Sequence, residues 1–153
     1  MAQPLSVPYH PQKGEGDCLA ACAQMVLAYF DIIRSQEQLA RQLQVRPALG
    51  APAPNIRRLA SQQLDVDYGE GTLEQIADWL ARSIPVIVFV QAGELPRWRE
   101  ERFQHAVVIV GLTEDSIWLL DPEGDPQPEA VPVEAFLLAW SGMDYLHAVV
   151  RRA

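Results

Sequence analysis

The pattern of apolar and polar positions changes its period about halfway along the chain. In the first half, apolar residues recur at the three- and four-residue spacing of one helical face, and this predicts four helices, beginning near Asp17, Ser35, Pro54 and Thr72. In the second half, apolar runs predict strands over 84–91, 105–112, 117–121 and 145–151, with a helix over 133–140 before the last strand.

Local start signals support three of these helices. Ser35 with Gln38, and Thr72 with Gln75, have the spacing of a capping box, in which each side chain bonds the backbone of the other residue. Asp17 stands where the first helix needs its N-cap.

The order of the elements predicts the fold class. Helices followed by strands are typical of an α+β protein, so we expect N-terminal helices packed on an antiparallel β-sheet. The runs over 84–91 and 105–112 are so uniformly apolar that we expect both faces of these strands to be covered. A length of 153 residues with 49% hydrophobic residues predicts one domain over 1–153. The segment 121–129, DPEGDPQPE, reads as a surface connection.

Composition narrows the function classes. Twenty acidic against twelve basic side chains give a formal charge of -8, which repels nucleic acids and anionic membrane surfaces. The apolar runs are too short to cross a bilayer, and the first residues lack the pattern of an export signal. Two cysteines four residues apart do not form a secreted disulfide framework, so we expect a cytoplasmic protein.

The two cysteines occupy different positions on the first predicted helix. Cys18 lies in the first turn, where unpaired N–H groups and the positive end of the helix dipole favour a thiolate, the nucleophilic form of cysteine. We predict Cys18 as a catalytic nucleophile; the alternative is a thiol packed in the core. Cys22 lies on the apolar stripe one turn deeper and is expected to pack. A disulfide between them is disfavoured, since Cβ atoms four residues apart on a helix are roughly 5–6 Å apart and a disulfide requires about 3.8 Å.

A nucleophilic thiol needs a base, and the base needs an orienting group. Of the three histidines, His105 opens an apolar strand, a rigid rim position suited to a general base. His10 and His147 are better explained as surface or structural residues. Asp121 ends the next strand and is the candidate orienting carboxylate; its alternative role is that of a turn residue before Pro122.

This pairing of His105 with Asp121 carries a geometric condition, because side chains alternate between the faces of a sheet. Regular pairing around a two-residue turn at 114–115 would set Asp121 opposite Val108, on the other face from His105. A three-residue loop over 113–115 or a β-bulge places both side chains on one face, and we predict one of these.

Acyl transfer also requires donors for the oxyanion of its tetrahedral intermediate. The backbone N–H of Cys18 is one candidate. Gln12, across a loop that contains Gly14 and Gly16, is the second, through its side-chain amide. This chemistry calls for no cofactor and no metal.

Together these residues resemble a known family. Gln12, Asp17 and Cys18 ahead of an apolar helix, then His105 in HAVVIVGL and Asp121 before a proline, resemble the bacteriocin-processing cysteine peptidases, which are papain-like domains that cut leader peptides after a double glycine. The resemblance runs over most of the chain and implies a papain-like fold, a nucleophile at Cys18, a base at His105, an orienting carboxylate at Asp121 and an oxyanion donor at Gln12. It implies a cysteine peptidase with a peptide or protein substrate. Where the family commonly has glycine after the cysteine, this chain has leucine.

Three other readings stay open at this level. One is a papain-like module that binds a peptide without cutting it, and another is an acyltransferase that uses the same thioester chemistry. A metal or redox site at Cys18 and Cys22 is disfavoured, because their spacing lacks the C-x-x-C signature. The loop over 92–103, with Trp98 among charged residues, is a candidate for substrate contact or a lid; the alternative is an ordinary connection with one packed tryptophan.

Overall fold

The structure, a computed structural model, describes residues 3–98 and 103–153. Its helices are α1 (Cys18–Tyr29), α2 (Gln36–Gln42), a 3-10 helix (Ala53–Leu59), α3 (Leu73–Ala81) and α4 (Val133–Ser141), with short 3-10 turns at Ala92–Glu94 and Pro96–Trp98. Its strands are β1 (Leu64–Glu70), β2 (Val86–Gln91), β3 (Gln104–Leu112), β4 (Ser116–Leu120), β5 (Glu129–Pro132) and β6 (Leu146–Arg152).

The strands form one six-stranded sheet in the order β1-β6-β2-β3-β4-β5, and every pair is antiparallel. The predicted α+β fold with N-terminal helices on an antiparallel sheet is therefore confirmed. Strands β2 and β3 lie at the centre of the sheet, and their apolar residues are buried along almost their whole length. This confirms that both faces of these two strands are covered.

Helices cover the sheet on both sides. Helix α1 packs one face, where its buried residues meet alternate positions of β3 such as Ala106 and Val108. Helices α3 and α4 pack the other face, against the intervening positions Val107 and Ile109. Burying apolar surface contributes about 25 cal/mol per Å², so two extensive cores hold β3 rigidly between them. The site residues at the end of this strand therefore rest on a stiff support.

The capping predictions are confirmed for α2 and α3 and, for α1, only in the position of the N-cap residue. Ser35 with Gln38, and Thr72 with Gln75, form complete capping boxes. Asp17 is the N-cap residue of α1, but its side chain makes no capping hydrogen bond. The third predicted helix is a 3-10 helix, in a segment where closely spaced prolines remove the N–H groups that an α-helix needs.

Two strands were not predicted, and both lie at the sheet edges. Strand β1 alternates apolar with polar residues, a period-2 signal in LDVDYGE. Strand β5 is four residues long, ends in proline, and starts at Glu129, the last residue of the predicted surface connection. The other strand ends differ from the prediction by one or two residues. Within the described residues, no helix combines the length and apolar character needed to span a membrane.

Candidate active site

The first residue of α1 is Cys18, as the sequence predicts, and its side chain is half-buried. Cys22 is on the same helix one turn later and is completely buried. Both thiols are free. Burial, together with the charges of Cys18 and Asp121, raises the pKa of Cys22 well above its ordinary value, so Cys22 stays a neutral thiol. The expected packing role of Cys22 is confirmed.

His105 and Asp121 form a buried pair at the end of the sheet. The His105 Nε2 and the Asp121 Oδ1 are 2.7 Å apart, and the two residues are 4% and 3% exposed. The backbone N–H of Glu123 donates to the same oxygen at 2.9 Å. The Trp98 indole N–H donates to the Asp121 Oδ2 at 2.7 Å. Both carboxylate oxygens are thus held by donors, which fixes the carboxylate plane beside the imidazole.

The geometric condition on this pair is met by a β-bulge. Near the turn, Leu112 pairs with Ile117, the register of a two-residue turn. The register then shifts between Ile109 and Gly111, so that Val108 pairs with Leu120. Continuing this register places the next residue, Asp121, opposite Val107, on the face that His105 shares. The predicted bulge is confirmed, and the three-residue loop is not used.

The pair changes the protonation of both members. Burial by itself opposes the charged imidazole, but hydrogen bonds to Asp121 and Cys18, and the charges of these two groups, raise the pKa of His105 to about 9. Burial likewise opposes the charged Asp121, but the hydrogen bond and charge of His105, with the bonds from Trp98 and Glu123, lower its pKa below the ordinary value. At neutral pH this is an imidazolium–carboxylate pair.

Cys18 lies at the same cleft as His105. Asp121 occupies Nε2 of the ring, which leaves Nδ1 as the nitrogen available to Cys18, one of the two groups whose interactions raise the pKa of His105. Cys18 and His105 line the same cleft, about 670 Å³ in volume, together with Gln12 and Trp98. The thiol and the imidazolium thus lie at the cleft, and the Asp121 carboxylate that bonds the imidazolium is buried.

Aromatic rings cover the His105–Asp121 pair. Trp98 and Phe103 lie edge-on to the His105 ring, with centroids 6.1 and 5.3 Å away, and edge-on to each other at 5.2 Å. The loop predicted to contact substrate or form a lid thus places its tryptophan against the imidazole and the carboxylate. Residues 99–102 of that predicted loop lie outside the described residues.

Gln12 lies at the same cleft as Cys18. Its side-chain Nε2 donates to the Gly14 carbonyl at 2.9 Å, while its Oε1 is buried and has no hydrogen-bond partner. An amide nitrogen carries two hydrogens, so one N–H remains after the bond to Gly14. Gln12 therefore lies at the cleft with one amide N–H uncommitted, and its role as an oxyanion donor stays a prediction.

The loop that carries Gln12 is fixed by two glycines in contact. Gly16 and Gly50 have φ values of 85° and 89°, in the left-handed region that favours glycine. A Cβ on Gly16 would lie 2.6 Å from the backbone nitrogen of Gly50. This close approach packs the 46–50 turn against the loop and places Ala48 and Leu49 on the cleft wall.

The other histidines lie away from this cleft. His147 is buried, and its Nδ1 is 2.8 Å from the carbonyl oxygen of Gly69, which agrees with a structural role. His10 is half-buried in the extended N-terminal segment. Among residues 3–98 and 103–153, no group of three or more His, Cys, Asp or Glu side chains is arranged to hold a metal ion.

The sequence analysis did not predict the groups outside Cys18 and His105 that hold Asp121 in place. The Tyr9 hydroxyl lies 2.9 Å from the carbonyl oxygens of both Asp121 and Gly124, which holds the turn that follows β4. The Trp98 indole bond to Asp121 was not foreseen either. Tyr9 and Trp98 lie 112 and 23 residues from Asp121 in the sequence, so no local pattern relates them to it. The only signal for these two bonds was the presence of a tyrosine and a tryptophan outside any periodic pattern.

Comparisons with known proteins agree with this architecture. A C39-like peptidase structure from Bacillus anthracis has a TM-score of 0.78 at 18% identity, covering 97% of this chain and 96% of that one. A double-glycine motif protease from an AMS/PCAT transporter, in complex with the leader peptide, has a TM-score of 0.75 at 19% identity, covering 100% and 96%. The peptidase domain of Streptococcus ComA, a bifunctional ABC transporter of a quorum-sensing pathway, has 0.73 at 18%, covering 96% and 98%.

At these identities the structural similarity shows the fold alone. A search of the curated proteins finds no match. The model of one protein family, the Peptidase_C39-like family, matches residues 4–148, which is nearly the whole chain. The resemblance that Gln12, Cys18, His105 and Asp121 indicate in the sequence is thereby confirmed at the level of the family. The chain belongs to the Peptidase_C39-like family.

Proposed function

We propose that this protein is a cysteine peptidase that hydrolyses a peptide bond through a covalent thioester intermediate on Cys18. The observation that carries the proposal is that Cys18 and His105 line one cleft, while the His105 imidazole lies 2.7 Å from the buried Asp121 carboxylate. Membership of a peptidase-like family supports the same reaction class.

The first step is acylation. The Cys18 sulfur attacks the peptide carbonyl carbon, a C–S bond forms, and the carbonyl electron pair moves onto oxygen. The backbone N–H of Cys18 has no acceptor within the helix, because it belongs to the first turn, and it donates to this oxyanion. The free N–H of Gln12 is the second donor. When the tetrahedral intermediate collapses, the C–N bond breaks and His105 gives its proton to the leaving amine.

The second step is hydrolysis of the thioester. His105, now neutral, takes a proton from water as the water oxygen attacks the thioester carbonyl. The C–S bond then breaks, which releases the product as a carboxylic acid and returns the thiolate and the imidazolium. The product acid loses its proton to solvent. Asp121 stays ionised throughout and holds the ring so that Nδ1 faces the sulfur.

The protonation state of the resting site suits this sequence of steps. With a pKa of about 9, His105 is an imidazolium at neutral pH, and its positive charge stabilises a neighbouring thiolate. The acid needed for the leaving amine is thus present before substrate binds. The fully buried Cys22 lacks this partner and takes no part.

For the substrate, we propose a peptide segment, with processing of a leader peptide as the specific reaction. The similar protease structure that contains a leader peptide supports this choice. Cytoplasmic location stays a prediction from composition, as does a single domain over 1–153.

Incubation with a varied peptide library that includes double-glycine leader sequences tests the proposal directly. We expect mass spectrometry to find cleavage products with the wild type and none above background with Cys18→Ala. Cys22→Ala is the matched control, since it removes the other thiol, and it should retain cleavage within a few-fold. Equal product with Cys18→Ala would refute the proposed nucleophile.

Two further outcomes separate the alternatives. A peptide that binds and survives intact, with equal affinity for wild type and Cys18→Ala, would indicate the binding module. Products that carry an added amine or thiol from the buffer instead of water would indicate acyl transfer. Either result would replace hydrolysis as the function of this site.

A further inference from the structure

A buried glutamine lies beside the segment that carries Gln12. Gln36 is the first residue of α2, and it is 2% exposed, although helix N-termini usually expose their polar residues. Burying an amide is unfavourable unless its donors and acceptor are satisfied. The partners of Gln36 therefore show what its burial achieves.

Gln36 bonds the backbone on both sides of Gln12. Its Oε1 accepts from the Lys13 N–H at 2.8 Å, and its Nε2 donates to the Pro11 carbonyl at 3.0 Å. The Gln12 N–H, which points the opposite way in an extended segment, donates to the Pro122 carbonyl at 2.9 Å. Residue 12 is thus held from two sides, by α2 and by the turn that begins at Asp121.

The same amide also reaches the helix that carries the nucleophile. The second N–H of Gln36 donates to the Oε1 of Gln24, on α1, at 2.9 Å. One side chain therefore connects α1, α2 and the segment around Gln12. A group with one acceptor and two donors in this geometry must be a neutral primary amide, because a carboxylate would face two acceptor oxygens.

We propose that Gln36 is a positioning residue that sets the Gln12 amide relative to Cys18, and so governs how well the oxyanion is held. The effect on the oxyanion rests on the proposed peptidase function. The effect of Gln36 on the position of Gln12 does not depend on that function. Gln36 lines none of the described cleft and contacts neither Cys18 nor His105 through a hydrogen bond, so it acts only through the segment it holds.

The structural part is tested by hydrogen exchange in Gln36→Met, which keeps the length of the side chain and removes its polar atoms. We expect exchange at the Gln12 N–H to accelerate at least tenfold, although that N–H bonds Pro122 and not Gln36. Gln42→Met is the matched control, because Gln42 lies on the same helix, is exposed, and bonds the distant Arg58 carbonyl at 3.3 Å. Unchanged exchange at Gln12 would overturn the proposal whether or not the protein cleaves peptides.

The kinetic part is tested by a double-mutant cycle on peptide cleavage. Losing one oxyanion donor lowers kcat by about 10²–10³-fold, so we expect Gln12→Ala in that range and Gln36→Met to lose about 10–10²-fold in kcat with KM within about threefold. In the Gln12→Ala background, Gln36→Met should cost at most about twofold more. If Gln36→Met lowers kcat by the same factor in the Gln12→Ala background as in the wild type, the proposal is overturned.

Two controls keep the outcomes distinct. Cys18 alkylation by iodoacetamide depends on His105, so its rate should be the same in Gln36→Met and wild type; a parallel loss of alkylation and cleavage would indicate general disruption and overturn the positioning role. If Gln36→Met does not fold, Gln36→Asn replaces it, since the shorter amide cannot reach Pro11 and Lys13 together. A wild type that cleaves no faster than Cys18→Ala would refute the peptidase function and leave the exchange result to decide the role of Gln36.

Discussion

Replacing Asp121 with asparagine tests the electrostatic basis of the site. Asparagine has nearly the same shape, and its carbonyl oxygen still accepts a hydrogen bond, but the negative charge is lost. Burial by itself lowers the pKa of His105, and in the wild type the interactions with Asp121 and Cys18 raise it to about 9 against that opposition. In Asp121→Asn we therefore expect the pKa of His105 to fall to about 6.5, its ordinary value, or lower.

The magnitude follows from these two values. The difference between about 9 and about 6.5 corresponds to about 3 kcal/mol of preference for the imidazolium. At pH 7.5 the protonated fraction of His105 falls from about 97% to about 9%. Because the imidazolium stabilises the thiolate, alkylation of Cys18 at this pH should slow by about tenfold or more.

A nuclear magnetic resonance titration of the histidine rings measures the effect directly. His105 should show its midpoint near 9 in the wild type and at or below about 6.5 in Asp121→Asn. His10 and His147 lie outside the cleft, so the ring signals of these two residues serve as internal references for a general change of the fold. If His105 still titrates near 9 in Asp121→Asn, the carboxylate is not the source of the raised pKa and the reasoning is wrong.

Three further predictions concern the surroundings of this pair. Trp98→Phe removes the indole donor to Asp121 but keeps a ring, so kcat should fall by about tenfold with KM nearly unchanged; a raised KM at unchanged kcat would instead indicate a substrate contact. Gly16→Ala forces a side chain into left-handed backbone and against Gly50, so urea unfolding should show a loss of at least about 1–2 kcal/mol; Gly14→Ala, which meets only a flexible carboxylate oxygen, is the control and should lose little. The charge on His105 stabilises the fold fully below about pH 6.5, and this contribution of about 3 kcal/mol is lost as pH rises through about 9. Between these pH values the free energy of unfolding should therefore fall more steeply in the wild type than in His105→Ala. Equal slopes would contradict it.

The sequence predicted those parts of the site that depend on local pattern. Cys18 was located by the start of an apolar helix, and His105 by the start of an apolar strand, both of which follow from neighbouring residues. The prediction that His105 and Asp121 share one face of the sheet followed from two conditions. Side chains alternate between the faces of a strand, and these two side chains must meet. The bulge between Ile109 and Gly111 satisfies that requirement.

The parts that were missed depend on contacts between distant segments. Gln36 is an ordinary first residue of a helix in the sequence, and its partners lie 12 to 25 residues away with no periodic relation to it. Strand β5 is short and contains proline, so only its pairing with β4 shows that it is a strand. Strand β1 carries a period-2 signal in LDVDYGE, so this strand is predictable from its own residues.

The most direct test of the central claim is the rate at which iodoacetamide alkylates Cys18, followed by mass spectrometry, in the wild type and in His105→Ala. The account predicts that Cys18 reacts at pH 7 at least tenfold faster than a free cysteine thiol in solution, that the rate falls to the free-thiol level in His105→Ala, and that the buried Cys22 stays unlabelled in both proteins. A Cys18 that reacts no faster than the free thiol, with a rate that His105→Ala leaves unchanged, would contradict it.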